Sequence, residues 1–72
     1  MNVKIFTAVL HKEDDLYVAE CPEVGTVSQG ETIEEAVANL KEATELYLEE
    51  FPLQETSPTF LTTFEAEYAE TA

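Results

Sequence analysis

Arginine and tryptophan are absent from this 72-residue chain, cysteine and histidine occur once each, and glycine only twice. The missing arginine matters most. Three lysines, Lys4, Lys12 and Lys41, face sixteen acidic residues, for a formal charge of -13. Nucleic-acid binding depends on Lys and Arg neutralising phosphates, so direct contact with nucleic acid is not expected of this chain. One cysteine, Cys21, allows neither an internal disulfide nor a thiol-based zinc site within one chain, and suits a reducing compartment. No apolar run approaches the roughly 20 residues that a membrane span needs, and the start lacks a charged lead followed by a long apolar segment. A cytoplasmic protein with no membrane partner is the expectation. Seventy-two residues hold one domain, 1–72, with a modest core and no room for a second.

What the chain does have is apolar patterning: 44% of its residues are hydrophobic, enough to fold rather than stay disordered. Residues 3–10, VKIFTAVL, are rich in β-branched and aromatic side chains and short, which predicts a strand. Alternation puts Val3, Ile5, Thr7 and Val9 on one face and Phe6, Ala8 and Leu10 on the other. The polar run 11–15, HKEDD, reads as a turn, and LYVAEC, 16–21, resumes the strand pattern to give a β-hairpin. Pro22 cannot donate to a ladder and Gly25 tolerates unusual backbone angles, so PEVG turns the chain. Thr26, Val27 and Ser28 form a short third strand, closed by Gln29-Gly30.

A helix follows. Thr32 and Glu35 have the T-x-x-E spacing of a capping box, in which Thr32 accepts from the Glu35 N–H and the Glu35 carboxylate reaches back to the Thr32 N–H. Glu31, Glu34 and Glu35 also stand where the helix dipole favours negative charge. Ile33, Ala36, Val37, Leu40, Ala43, Thr44, Tyr47 and Phe51 follow the three-and-four spacing of one buried stripe, with Glu34, Lys41, Glu42, Glu45 and Glu49 mainly outside it. Pro52 stops the helix. Residues 52–58, PLQETSP, read as a linker. In 59–68, TFLTTFEAEY, the residues Phe60, Thr62, Phe64, Ala66 and Tyr68 alternate against Leu61, Thr63, Glu65 and Glu67, which predicts a fourth strand. The fold class is α+β, β-β-β-α-β, with one helix packed on a mainly antiparallel sheet.

Chemical motifs are few. Gly30 stands before a helix start, where free N–H groups attract anions, but no phosphate-loop pattern accompanies it and three glutamates repel an anion. Its role is structural. His11 has no serine, cysteine or carboxylate at a triad-like spacing, and Cys21 has no neighbouring base to favour its thiolate. Glu13-Asp14-Asp15 lacks the alternate-ligand spacing of a calcium loop. A metal-dependent nuclease needs carboxylates converging from several strands, and the strands supply none except near their ends, such as Glu20 and Glu65. No enzyme activity, metal or cofactor is expected. Surface remains. One helix covers one face of a sheet, so the second apolar face of the first strand needs another subunit or another protein against it, and Val3, Ile5 and Val9 are the candidate residues of a homo-oligomer joint, dimer or tetramer.

Residues 17–51 carry a broader likeness. Tyr17, Ala19, Pro22, Gly25, Ser28, Gly30, Glu31, Thr32, Glu34, Glu35, Ala36, Asn39, Glu42 and Ala43 match an aromatic-x-A strand, a proline, a glycine turn, S-x-G-[DE]-T, E-E-A and N-x-x-E-A. In this the chain closely resembles the HicB-like antitoxin family. The resemblance implies a domain similar to a degraded RNase H fold, acting in a toxin-antitoxin system. Its partner would be a HicA-like toxin, a small basic RNA-cleaving protein with a double-stranded-RNA-binding-like fold, blocked by direct binding. Many members carry a C-terminal DNA-binding segment, and this sequence ends at Ala72 after the fourth strand, so it resembles the short single-domain form with no DNA-binding domain.

Charge and resemblance point the same way, since complementary potentials speed encounter and disfavour wrong partners. The expected function is that of an antitoxin neutralising a HicA-like mRNA-cleaving toxin. Exposed glutamates of the helix, Glu34, Glu42, Glu45 and Glu49, are the candidate contacts. The alternative is a self-assembling acidic module that binds another protein or a small ligand, with no toxin partner; a small basic reading frame beside the gene separates the two.

Overall fold

The computed structural model describes residues 3–54 and 58–70. Three strands, β1 (Val9–Glu13), β2 (Leu16–Cys21) and β3 (Thr26–Gly30), precede one helix, α1 (Ile33–Glu50). The sheet is antiparallel in the order β1-β2-β3, which makes β1 and β3 its edges. The α+β class expected from the sequence is therefore what the chain adopts.

The hairpin is tighter than the polar run predicts. Val9 pairs with Glu20 and Glu13 with Leu16, so only Asp14-Asp15 turn the chain, and Lys12 and Glu13 belong to β1. Asp14 takes the left-handed conformation, φ 53°, which aspartate tolerates because its short side chain bonds locally. At its other end β1 begins at Val9, later than the strand expected from residue 3. β2 stops at Cys21 because Pro22 has no N–H to give a ladder. Residues 3–7 thus outrun their partner strand, although Phe6 and Ala8 still pack against the core. Between β2 and β3, Gly25 at φ 92° closes the expected PEVG turn, donating to the Cys21 carbonyl at 2.7 Å.

The register sets one sheet face against the helix. Ala19 lies opposite Ser28, Cys21 opposite Thr26 and Tyr17 opposite Gly30, and the core is built from Ala19, Cys21, Ala36 and Leu40, with Phe6, Ala8, Leu10, Tyr17 and Val24 packed around it. The approach is closest at Gly30. A Cβ there would stand 2.6 Å from the Ala36 nitrogen and 2.9 Å from the Glu35 carbonyl carbon. Glycine at this position lets helix backbone touch strand backbone, which confirms its structural role. Two polar bonds fix the same contact: the Thr26 and Thr44 hydroxyls are 2.7 Å apart, and the Asn39 amide donates to the Gln29 carbonyl at 2.8 Å.

α1 starts as its sequence predicts, with Thr32 Oγ1 accepting from the Glu35 N–H at 3.0 Å. The return bond differs by one residue: the Glu35 carboxylate accepts from the N–H of Glu31, at 3.0 Å, rather than from that of Thr32. At the far end Phe51 leaves the helix with φ -121°, as expected of a residue held out of the α region by a following proline. The buried stripe is narrower than its sequence spacing implies. Ala36, Leu40 and Thr44 are buried, whereas Ile33 at one end of the stripe, Tyr47 and Phe51 at the other, and Val37 at its side stay partly open. Three strands of five or six residues give a platform that covers only the middle turns of the 18-residue helix.

The fourth strand needs correcting for the single chain. Residues 58–70 form no ladder with the other described residues, and each of them is exposed. Phe60 and Phe64 are both 87% exposed. Alternation fits a strand, but a strand exists only with a neighbour to share its hydrogen bonds, and among the described residues of the same chain the segment has none. The expected linker 52–58 includes residues 55–57, which lie outside the described residues. The sheet face away from α1 is also more mixed than a second apolar face: Val9, Val18 and Val27 share it with His11, Glu20 and Gln29.

Candidate functional site

The first distinctive surface is the outer face of α1. At about 100° per residue, Glu34, Glu42, Glu45 and Glu49 fall within about 80° of arc, opposite the buried row Ala36, Leu40 and Thr44. All four are exposed. Lys41 lies at the margin and pairs with Glu45 at 3.5 Å, a surface contact too solvated to neutralise the face. The last helical turn holds no basic residue, so the C-terminal end of the helix dipole adds to the negative potential.

The second is a groove of about 310 Å³ on one side of α1. Its floor is the strand-like start of the chain, through Val3, Phe6 and Ala8, and its wall is the helix flank through Val37, Leu40 and Leu48. The groove opens along the free edge of the sheet beside β1. Val3 and Ile5 are 96% and 92% exposed.

A polar clamp holds the floor in place. Glu23, in the β2–β3 turn, accepts from the Thr7 backbone N–H at 2.9 Å and from its hydroxyl at 2.6 Å. The Cys21 thiol donates to the same carboxylate at 3.3 Å. These bonds to the charged form lower the Glu23 pKa to about 2, the Thr7 hydroxyl contributing most. Burial pushes the Cys21 thiol the other way, upward. A buried thiol beside a carboxylate is a poor nucleophile. His11 Nε2 lies 2.9 Å from Glu13 Oε2, one strand-face step away, and both are exposed. Among the described residues no three His, Cys, Asp or Glu side chains converge as a metal site would require.

Comparison with known proteins places this architecture in a family. Over 59 residues the chain is 41% identical to UPF0150 protein ssr1258 of Synechocystis sp., an alignment covering 79% of this chain and 86% of that one. The chain belongs to the UPF0150 family. A UPF0150 protein of Helicobacter pylori strain J99 is 49% identical over 45 residues, with 61% of this chain and 62% of the relative covered. UPF0150 protein ssr1765 of Synechocystis is 52% identical over 46 residues, covering 61% of this chain and 58% of that one. No family model matches the chain, and no solved structure does.

Within this UPF0150 fold the candidate residues separate into distinct places. Glu34, Glu42, Glu45 and Glu49 share one helix face, while Val3, Ile5 and Val9 lie at the β1 side of the sheet with their side chains exposed. The groove lies between the two groups, and Val3 and Glu45 both line it. Glu23 and Asn39 emerge only in three dimensions. Glu23 meets Thr7 across sixteen residues of sequence, and no local pattern announces such a pair. No described helix is long and apolar enough to cross a membrane.

Proposed function

We propose that this UPF0150 chain is a non-enzymatic binding domain whose acidic helix face occludes a small basic RNA-cleaving toxin of the HicA-like kind. The observation that carries the reading is the arc of Glu34, Glu42, Glu45 and Glu49 on the one face of α1 that the core does not use. Opposite charge on a toxin's RNA-binding surface would meet it, so the antitoxin competes with RNA for the same cations. The HicB-like residue pattern from Tyr17 to Ala43 supports the same conclusion, and so does the net charge of -13. In this mechanism the domain performs no chemistry. It excludes substrate.

The test uses the full chain and the small basic product of the adjacent reading frame. Mixing the two is expected to give an isolable complex in which RNA cleavage stops. The triple variant E42K/E45K/E49K changes only exposed side chains, so it is expected to fold normally and to bind at least about tenfold more weakly, chiefly through a slower association rate. Cleavage that continues in the presence of excess soluble chain refutes the proposal.

A further inference from the structure

We infer that residues 58–70 of one chain dock as a fourth strand on the open β1 edge of a second copy, filling its groove with Phe60 and Phe64, in a reciprocal exchange. This inference goes beyond the toxin reading and does not rest on it.

Four observations converge on it. First, the segment has the period-two pattern of a half-buried strand, yet every residue of it is exposed on its own chain. Phe60, Phe64 and Tyr68 form one apolar row, and Glu65 and Glu67 belong to the opposite row. Second, the acceptor is incomplete in the complementary way. Residues 3–7 run beyond the end of β2, the adjoining strand β1 is a free edge, and the groove above them is mainly apolar, with Lys4, Lys41 and Glu45 also lining it. Edges of this kind template the addition of another strand. At the opposite edge, on β3, the Gln29 carbonyl is already taken by Asn39.

Third, the dimensions agree. Phe60 and Phe64 stand about 13 Å apart along a strand, and the helix flank from Val37 to Leu48 runs about 16 Å. A strand added beside residues 3–8 would bring both rings under the flank that the three-stranded sheet leaves open. Fourth, the area demands a partner of this size. The chain exposes 6505 Å², whereas a compact folded monomer of the same mass exposes about 4,450 Å². The excess of about 2,000 Å² falls within the range that one subunit buries in an obligate dimer. A second copy supplies both halves at once, since each chain carries one donor segment and one acceptor edge.

The experiment uses the full chain alone. Sedimentation is expected to show a dimer, and Phe64→Asp is expected to weaken each of the two joints about tenfold, hence the dimer about a hundredfold. Because that variant can also perturb folding, a second measurement decides the geometry. A benzophenone side chain placed at position 64, in a mixture of isotopically heavy and light chains, is expected to cross-link heavy to light, at residues 3–8 or on the Val37–Leu48 flank. A stable monomer overturns the inference. So do cross-links confined to single chains, which would mean docking in cis, and heavy-to-light links that fall only on the outer sheet face around Val9, Val18 and Val27.

Discussion

A methyl group at position 30 would lie 2.6 Å from the backbone nitrogen of Ala36, and neither backbone can rotate out of the way as a flexible side chain can. Gly30→Ala must therefore separate α1 from β3, where Asn39 and Thr44 also make their bonds. Overpacking of this kind costs about 2–3 kcal/mol, which lowers the melting temperature of a domain this small by roughly 10–20 °C. A thermal melt that moves by no more than a degree or two contradicts the close contact. Glu23 gives a second residue-scale expectation. Its pKa falls from the ordinary 4.5 to about 2 on folding, so the folded state favours the carboxylate. That stabilisation is complete above about pH 4.5 and is lost as pH falls toward about 2. The useful quantity is the stability difference between wild type and Glu23→Gln, in which effects common to both chains cancel. That difference is expected to be largest at neutral pH and to close between about pH 4.5 and about pH 2 in denaturant titrations. A constant difference across the range contradicts the clamp.

At the scale of elements, local signals and partner-dependent ones fared differently. The helix was legible because its period, its Thr32 cap and the Pro52 stop all act within a few residues of one another. The β2–β3 turn was legible for the same reason, through Pro22 and Gly25. The extent of β1 was not, since a ladder ends where the partner strand ends and Pro22 sits on that partner, not on β1. Residues 59–68 carry a sound strand pattern, but pairing belongs to two segments together, and among the described residues no segment of the same chain lies against them. The helix stripe shows the same limit: spacing marks Val37 and Tyr47 as apolar, and only the extent of the sheet beneath decides whether they are covered. The candidate site divides along this line. An arc of glutamates follows from period alone, whereas the groove and the Glu23–Thr7 clamp depend on contacts between elements far apart in sequence.

For the whole molecule the two proposed associations respond to salt in opposite directions. Two copies of a chain with net charge -13 repel one another at every separation, and what holds them is apolar area and strand hydrogen bonds, which screening does not weaken. Binding of a cationic partner to the α1 face is drawn by the same field and loses strength as that field is screened. Raising ionic strength from about 0.01 M to about 0.1 M shortens the screening length from roughly 30 Å to roughly 10 Å. Over that interval self-association measured by sedimentation is expected to tighten, while the affinity for a basic toxin measured by titration calorimetry is expected to fall. If both weaken with salt, the subunits meet through charged side chains and not through the exchanged segment. If both strengthen, the partner sits on apolar surface, and the glutamates of the helix serve only to keep the assembly apart from its neighbours in solution.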